Sequence, residues 1–296
     1  MISGIRKINN GILLSLLSTF CFSVGNVLTK YISNDVPFTE IAFFRSFIGL
    51  VLVSGYMFNN GYTFNATHRK VLFLRGLLGG AALLCSFYAI SKIKLGEVSI
   101  LFQLSPVFVV VFANIILKEK LPKFFYILLI SSLIGCVLVI KPSFSNLGNF
   151  ASFISVLGAV LIGLAYVCIR ALSKEHKTHM IVLYFSFTAS VVALPWIRNF
   201  IMPSLNQWLV LIGIGLAATF AQFFMTKAYS VEKAGIVSMV SYVGLFLNVS
   251  WGMLIWKEYL DLYSLIGGVL ILASCLMLSL KVYNQKKHMV PVSLGD

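Results

Sequence analysis

Charge is what this chain has least of. Of 296 residues, 11% are Asp, Glu, Lys or Arg, about half the share of an ordinary soluble domain. Acids are the scarcer sign, nine against 23 Lys and Arg. With 59% apolar residues and a mean hydropathy of +0.95, no water-facing surface can be built. That excludes a soluble globular enzyme, a disordered chain and a disulfide-stapled secreted domain. The five cysteines (Cys21, Cys85, Cys136, Cys168, Cys275) are odd in number, have no CxxC spacing and all fall inside apolar runs. They read as small packing residues rather than a disulfide or metal framework. No Gly-Lys pair exists, so there is no Walker A motif and no ATP hydrolysis by this chain. The four histidines (His68, His176, His179, His288) sit at loops or ends, without HxxxD or HExxH spacing.

What remains is apolar sequence in long runs. A helix crosses the hydrocarbon core with about 20 residues. Ten runs of that kind lie near 11–29, 38–57, 71–90, 97–117, 123–140, 150–169, 180–197, 207–226, 235–256 and 262–280. Irregular backbone cannot face lipid, so each is expected to be a helix. The longest connection, 58–70, leaves no room for a separate soluble domain. Arg6 and Lys7 before the first run imitate a signal peptide, but no small-x-small site closes it and Lys30 follows, so a retained span is expected. The net charge of +14 would point to nucleic acid in a soluble chain. Here the basic residues stand singly or in twos and threes between apolar runs, as topology signals and headgroup contacts do, and no nucleic-acid partner is expected. With the N-terminus placed inside, fifteen Lys and Arg fall on inner segments and six on outer ones, with Arg45 and Arg75 within spans. That bias puts both termini in the cytoplasm.

The halves of the chain resemble each other. At a shift of 139 residues, Ala89, Ser91, Lys94, Gly96, Val98 and Ser99 fall on Ala228, Ser230, Lys233, Gly235, Val237 and Ser238. Lys118, Glu119 and Leu121 fall on Lys257, Glu258 and Leu260, and Cys136 on Cys275. At a shift of 140, Ser15, Lys30 and Ser33 fall on Ser155, Arg170 and Ser173. Five spans per half is an odd number, so the second half enters from the opposite side. Two like units of opposite orientation can enclose a site near the midplane that opens to either side, the architecture of many secondary transporters. The expected fold is therefore all-α and polytopic, with ten transmembrane helices as two inverted five-helix repeats, 1–143 and 144–283, and a cytoplasmic tail, 284–296.

Polar side chains in hydrocarbon are costly, so their positions carry information. Arg45 lies about 10 Å into the second span at 1.5 Å per residue, and Arg75 is five residues into the third. Both are candidates for binding an acidic group on a substrate. Polar stripes at helical spacing run through Ser15, Thr19 and Asn26; Gln103, Pro106 and Asn114; Thr219, Gln222 and Thr226; and Ser241 with Asn248. Such faces turn into a cavity or into helix-to-helix hydrogen bonds. Tyr88, Tyr166, Tyr242 and Trp251 can stack on a ring and donate a hydrogen bond. Pro106 is expected to bend the fourth span and help gate the cavity. Glu40 and Glu97 are the candidates for proton coupling, while Glu119 and Glu258 are expected to pair with neighbouring lysines. Gly76, Gly79 and Gly80 read as close-packing positions.

The stretch 87–143, FYAISKIKLGEVSILFQLSPVFVVVFANIILKEKLPKFFYILLISSLIGCVLVIKP, resembles the drug/metabolite transporter superfamily, in particular its EamA-type ten-helix members. EIAFFRSFIG at 40–49 and LRGLLGG at 74–80 resemble the bacterial S-adenosylmethionine transporter branch. One departure is Leu245, where many relatives carry a proline matching Pro106. The resemblance implies a secondary carrier in a bacterial inner membrane, a monomer or homodimer in the lipid bilayer, without a cofactor. Its cargo would be a small-molecule metabolite such as an amino acid or a nucleoside-containing compound, S-adenosylmethionine among them, moved by exchange or by facilitated or proton-coupled transport. The alternatives are a flippase for a lipid-linked substrate and a membrane-embedded enzyme.

Overall fold

The computed structural model describes residues 2–62, 66–117, 125–140, 147–172, 175–197, 200–231 and 234–288. Among these, the apolar runs form eleven α-helices: α1 (Ile2–Ile32), α2 (Phe38–Asn59), α3 (Arg69–Lys92), α4 (Leu95–Phe102), α5 (Ser105–Leu117), α6 (Phe125–Ile140), α7 (Leu147–Leu172), α8 (Thr178–Ala193), α9 (Leu205–Val231), α10 (Ala234–Trp256) and α11 (Leu262–His288). A 3-10 turn, Leu194–Trp196, extends α8. Seven helical stretches are long and apolar enough to cross a membrane: α1, α2, α3, the α4–α5 pair, α7, α8 with its 3-10 turn, and α9. Shorter apolar stretches lie in α6, α10 and α11. Large apolar side chains such as Phe58, Met202, Leu205 and Leu254 point outward, as lipid-facing groups do. The chain is an all-helical, polytopic membrane protein.

The run at 97–117 is carried by two helices rather than one bent helix. α4 ends at Phe102, Gln103 and Leu104 turn, and α5 starts at Ser105. Pro106 has no N–H to donate, so it fits the first turn of α5, where no intrahelical acceptor waits. The break therefore precedes the proline by two to three residues instead of centring on it.

Several hydroxyls inside the helices are satisfied locally, whereas those of Thr29, Ser46 and Thr226 are buried without a partner. Ser15 donates to the Gly11 carbonyl at 2.8 Å, Ser155 to Ala151 at 3.0 Å, Ser190 to Ser186 at 2.8 Å and Thr219 to Gly215 at 2.6 Å. Each is a bond back to residue i−4, which allows a hydroxyl to sit in an apolar environment with its hydrogen engaged.

α1 runs along α9, and α3 along α7. α6 crosses α11, α8 packs on both α2 and α3, and α10 covers α1 and α4. The α6–α11 crossing depends on glycine. A Cβ built on Gly267 would lie 2.5 Å from the Gly135 carbonyl oxygen, and one on Gly135 would lie 2.7 Å from that of Gly267. The obstacle is backbone on both sides, so neither helix can yield cheaply. On α3, Gly80 meets the Ala189 backbone of α8 at 3.0 Å by the same measure. Gly267→Leu is accordingly expected to lower the melting temperature of the detergent-solubilised protein, by the equivalent of about 1–3 kcal/mol of overpacking. Gly55→Leu is the control, since a Cβ there meets nothing within 4 Å. Equal melting temperatures for the two variants would show that the crossing does not need the glycine.

Candidate functional site

The helices surround a cavity of about 250 Å³ between α1, α2, α3, α4, α5, α7, α8, α9 and α10. Ser15, Thr19 and Ser241 of the polar stripes line it, as do seven of the ten residues expected to contact substrate: Asn26, Arg45, Arg75, Gln103, Tyr166, Gln222 and Asn248. Three further candidates do not.

The cavity is organised around two buried arginines. Arg45 on α2 is 5% exposed and Arg75 on α3 is 3% exposed. Their guanidiniums share one aromatic ring, that of Phe185 on α8. The Arg75 guanidinium carbon is 4.1 Å from the ring centroid and that of Arg45 is 5.4 Å. Arg75 Nη2 donates to Gln222 Oε1 on α9 at 3.3 Å. Its Nε and Nη1 are buried without a hydrogen-bond partner. Among the described residues, neither arginine forms an ion pair with a carboxylate. Gly79, one turn beyond Arg75, makes the arrangement fit. A Cβ there would lie 2.7 Å from Arg75 Nη1 and 2.9 Å from the Phe185 ring.

Physically this is an uncompensated site. A ring face attracts a cation by about 2 kcal/mol when desolvated, whereas an arginine at a helix centre costs about 2.5–3.5 kcal/mol on insertion scales. Sharing one ring also holds the two cations within about 10 Å, where at an effective dielectric near 20 they repel by more than about 1.5 kcal/mol. The ring alone therefore does not offset the cost, and an acid entering the cavity would. The unpaired Nε and Nη1 of Arg75 lie on different edges of the guanidinium, so each is a separate charge-assisted donor for an acidic group.

Neutral polar groups line the side formed by α1, α4 and α10. Asn248 bridges two helices: Ser23 donates to its Oδ1 at 3.0 Å, and its Nδ2 donates to the Ser99 hydroxyl at 2.8 Å. Gln103 Nε2 donates to the Ser241 carbonyl at 3.4 Å. On α7, the Tyr166 ring lies tilted against that of Tyr229 at 5.4 Å, and its hydroxyl reaches the Met225 sulfur at 3.4 Å. Asn26 faces the same space.

A second, smaller pocket that meets the cavity at Ile90 holds an ion pair. Glu258, after α10, was expected to pair with a neighbouring lysine. It pairs instead with Lys30 at the end of α1, at 2.5 Å and across a sequence separation of 228. Lys30 Nζ also donates to the Ile93 carbonyl at 3.1 Å, and Glu258 Oε2 accepts the Leu95 N–H at 3.0 Å. The adjacent Lys257 takes φ 54°, which turns the chain back so that Glu258 can reach the start of α4. Lys94 Nζ donates to the Tyr259 carbonyl at 2.8 Å. Glu258 thus ties α1, α4 and α10 together, satisfying an N-terminal N–H of α4 with negative charge.

Tyr88, Tyr242 and Trp251 lie outside the cavity lining. The lining face of α3 runs through Arg75, Gly79, Ala82, Phe87 and Ile90. Tyr88 is one step, about 100°, further round, and packs on Phe38 and Phe150 at 5.3 and 6.0 Å. On α10 the lining face is Val237, Ser241, Leu245 and Asn248. Tyr242 is again one step round, buried with Leu101, Leu104 and Ile271. Trp251 packs into the cluster around Ile32, Leu95 and Val98. Glu40 is fully buried in the first turn of α2, where Oε1 accepts the Ile201 N–H at 2.9 Å. Glu97 lies 3.9 Å from Lys94 at the Lys30–Glu258 end. Neither acid faces the cavity. Glu119 lies outside the described residues.

Three contributors were not legible beforehand. Phe185 is one of 25 phenylalanines and has no distinguishing spacing. Gly79 read as packing. Ser23 stands one turn from Thr19 and so belongs to the α1 stripe, which could have pointed to it.

Removing Glu258 tests whether the pair limits access to the cavity. In Glu258→Ala, a single cysteine placed at Asn26 is expected to react several-fold faster with a membrane-impermeant maleimide added from the Lys30 side. Unchanged labelling would mean that the ion pair does not limit access from this side.

The comparisons with known proteins agree on one kind of molecule. The EamA-like transporter family matches the chain twice, over residues 9–141 and 149–280. A pseudopaline exporter from Pseudomonas aeruginosa is 40% identical over 275 residues, covering 92% of this chain and 96% of that protein. An S-adenosylmethionine uptake transporter from Rickettsia prowazekii is 24% identical, covering 98% of each. A solved crystal structure superposes with a TM-score of 0.67 at 16% identity, covering 94% of this chain and 99% of that one, which is a likeness of fold alone. The chain belongs to the EamA-like transporter family, within the drug/metabolite transporter superfamily.

Proposed function

We propose that this protein is a secondary transporter that exports a small organic acid from a bacterial cell by alternating access. The observation that carries this reading is the pair of buried arginines, Arg45 and Arg75, facing a cavity where no carboxylate among the described residues balances them. The 40% identity to a protein named as a pseudopaline exporter supports the outward direction and a metabolite cargo.

The architecture proposed is ten transmembrane spans in two inverted five-helix repeats, 1–143 and 144–283, with both termini cytoplasmic and an inner-membrane location. Helix pairing supports it. If the first span exchanges with the sixth and the third with the eighth, the α1–α9 contact becomes α7–α3, and both pairs are packed. The same exchange turns α2–α9 into α8–α3, again both packed, and maps α6–α11 onto itself. Ser15 and Ser155, repeat partners, make the same bond back to residue i−4. In that orientation the Lys30–Glu258 pair lies on the outer side.

Exchange fits the charge balance. An empty carrier must reorient with two unneutralised arginines, whereas a carrier loaded with acid reorients with its charge compensated. Glu40 and Glu97 stay away from the cavity and are proposed as structural carboxylates rather than proton carriers.

In proteoliposomes, preloaded organic acids are expected to accelerate uptake of the same labelled compound, and Arg45→Ala to abolish it. Equal counterflow in wild type and Arg45→Ala would sink the anion-binding role. Gly79→Ala, which crowds Arg75 without removing it, is expected to raise KM about tenfold, the equivalent of about 1.4 kcal/mol, with normal insertion and melting temperature.

A further inference from the structure

The charged lining of the cavity consists of two guanidiniums and nothing else. Among the described residues that face it, the remaining polar groups are hydroxyls, amides and phenols. Resting on the transporter reading above, we infer that the site selects a cargo bearing two negative charges and rejects zwitterions and cations.

Four features support this. First, the two cations are on different helices and hold separate positions on the Phe185 ring, so they offer two anchoring points rather than one doubled point. Second, Arg75 keeps two buried donors, Nε and Nη1, without partners, while Nη2 is taken by Gln222. The two point from different edges of the guanidinium, so each offers its own hydrogen bond to an acidic group. Third, a singly charged acid leaves one buried guanidinium uncompensated, which is the arrangement that costs most when an ion pair is broken. Fourth, an ammonium or sulfonium carried in with the cargo would shed its water and find no acid. Asn248 Oδ1 is taken by Ser23 and Gln222 Oε1 by Arg75, and a neutral amide balances no charge. A cargo like that of the S-adenosylmethionine uptake relative, with two cationic centres and one carboxylate, is therefore excluded. Two chemistries supply a dianion, a dicarboxylate or a phosphate monoester, and separated anchors favour the dicarboxylate.

The test uses the full chain in detergent and in proteoliposomes. The probes are the dicarboxylates from succinate to suberate, the monomethyl ester of each, glutamate, glycerol 3-phosphate and S-adenosylmethionine. Binding is read as thermal stabilisation and transport as counterflow. The expected result is that at least one dicarboxylate stabilises and exchanges at a concentration at least tenfold below that of its monomethyl ester, with glutamate and S-adenosylmethionine without effect. Gln222→Glu supplies the decisive variant. It is nearly isosteric and places a carboxylate on the Arg75 Nη2 already bonded there at 3.3 Å. It should lower the dicarboxylate-to-monoester preference at least tenfold while the protein stays folded. A merely structural role for Arg75 would leave that ratio unmoved.

Preference for glycerol 3-phosphate over every dicarboxylate keeps the dianion rule and assigns the phosphate source. Stabilisation by dicarboxylates without flux upholds the site and sinks the transporter reading instead. Equal effects of diacid and monoester, transport of S-adenosylmethionine, or no response to any dianion overturns the inference while leaving the family membership untouched.

Discussion

Hydrocarbon offers no hydrogen bonds, and the rest of this structure follows from that constraint. Backbone groups must pair within each segment, so the chain is helical throughout its described spans. Several hydroxyls that cannot reach water bond to their own helix, as Ser15, Ser155, Ser190 and Thr219 do, and others cross to a neighbour, as Ser18 does to the Ala221 carbonyl. Helices gain little from hiding apolar surface when lipid is equally apolar, so close contact has to come from small residues. Gly135 against Gly267 and Gly80 against Ala189 are where that happens.

The same constraint gives the two arginines their meaning. A buried guanidinium without a carboxylate is retained at a cost in stability. Here it is softened by one shared aromatic ring and one amide, which leaves donors of Arg75 unfilled. The polar network of Ser23, Asn248 and Ser99 on the far side is fully engaged by contrast. Asn248 is held by two partners on that side, whereas on the other side two donors of Arg75 stand open. That asymmetry belongs to a site awaiting an acidic guest rather than to a packed core.

The Lys30–Glu258 pair shows how few contacts are needed to join three helices. Glu258 uses one oxygen for Lys30 and the other for the N-terminus of α4, joining three helices through a single carboxylate. Both charged groups are only partly exposed, so the pair is screened less than a surface ion pair would be. Separating these helices means replacing both interactions with water.

Composition and periodicity determined that the chain is helical and lives in a membrane, because a 3.6-residue period and runs of about 20 apolar residues leave lipid as the only solvent. They also marked the polar faces, since Asn26, Arg45, Arg75, Gln103, Gln222 and Asn248 are conspicuous against so apolar a background. Which of two adjacent ring-bearing or polar residues faces inward was decided only by tertiary packing. Tyr88 and Tyr242 sit about 100° from the lining faces of their helices, a rotation that depends on how α3 and α10 dock. Phe185 and Gly79 matter only because α8 and α3 meet beside Arg75. The partner of Glu258 was hidden for the same reason: the nearest lysine in sequence points elsewhere, and Lys30 arrives through the fold.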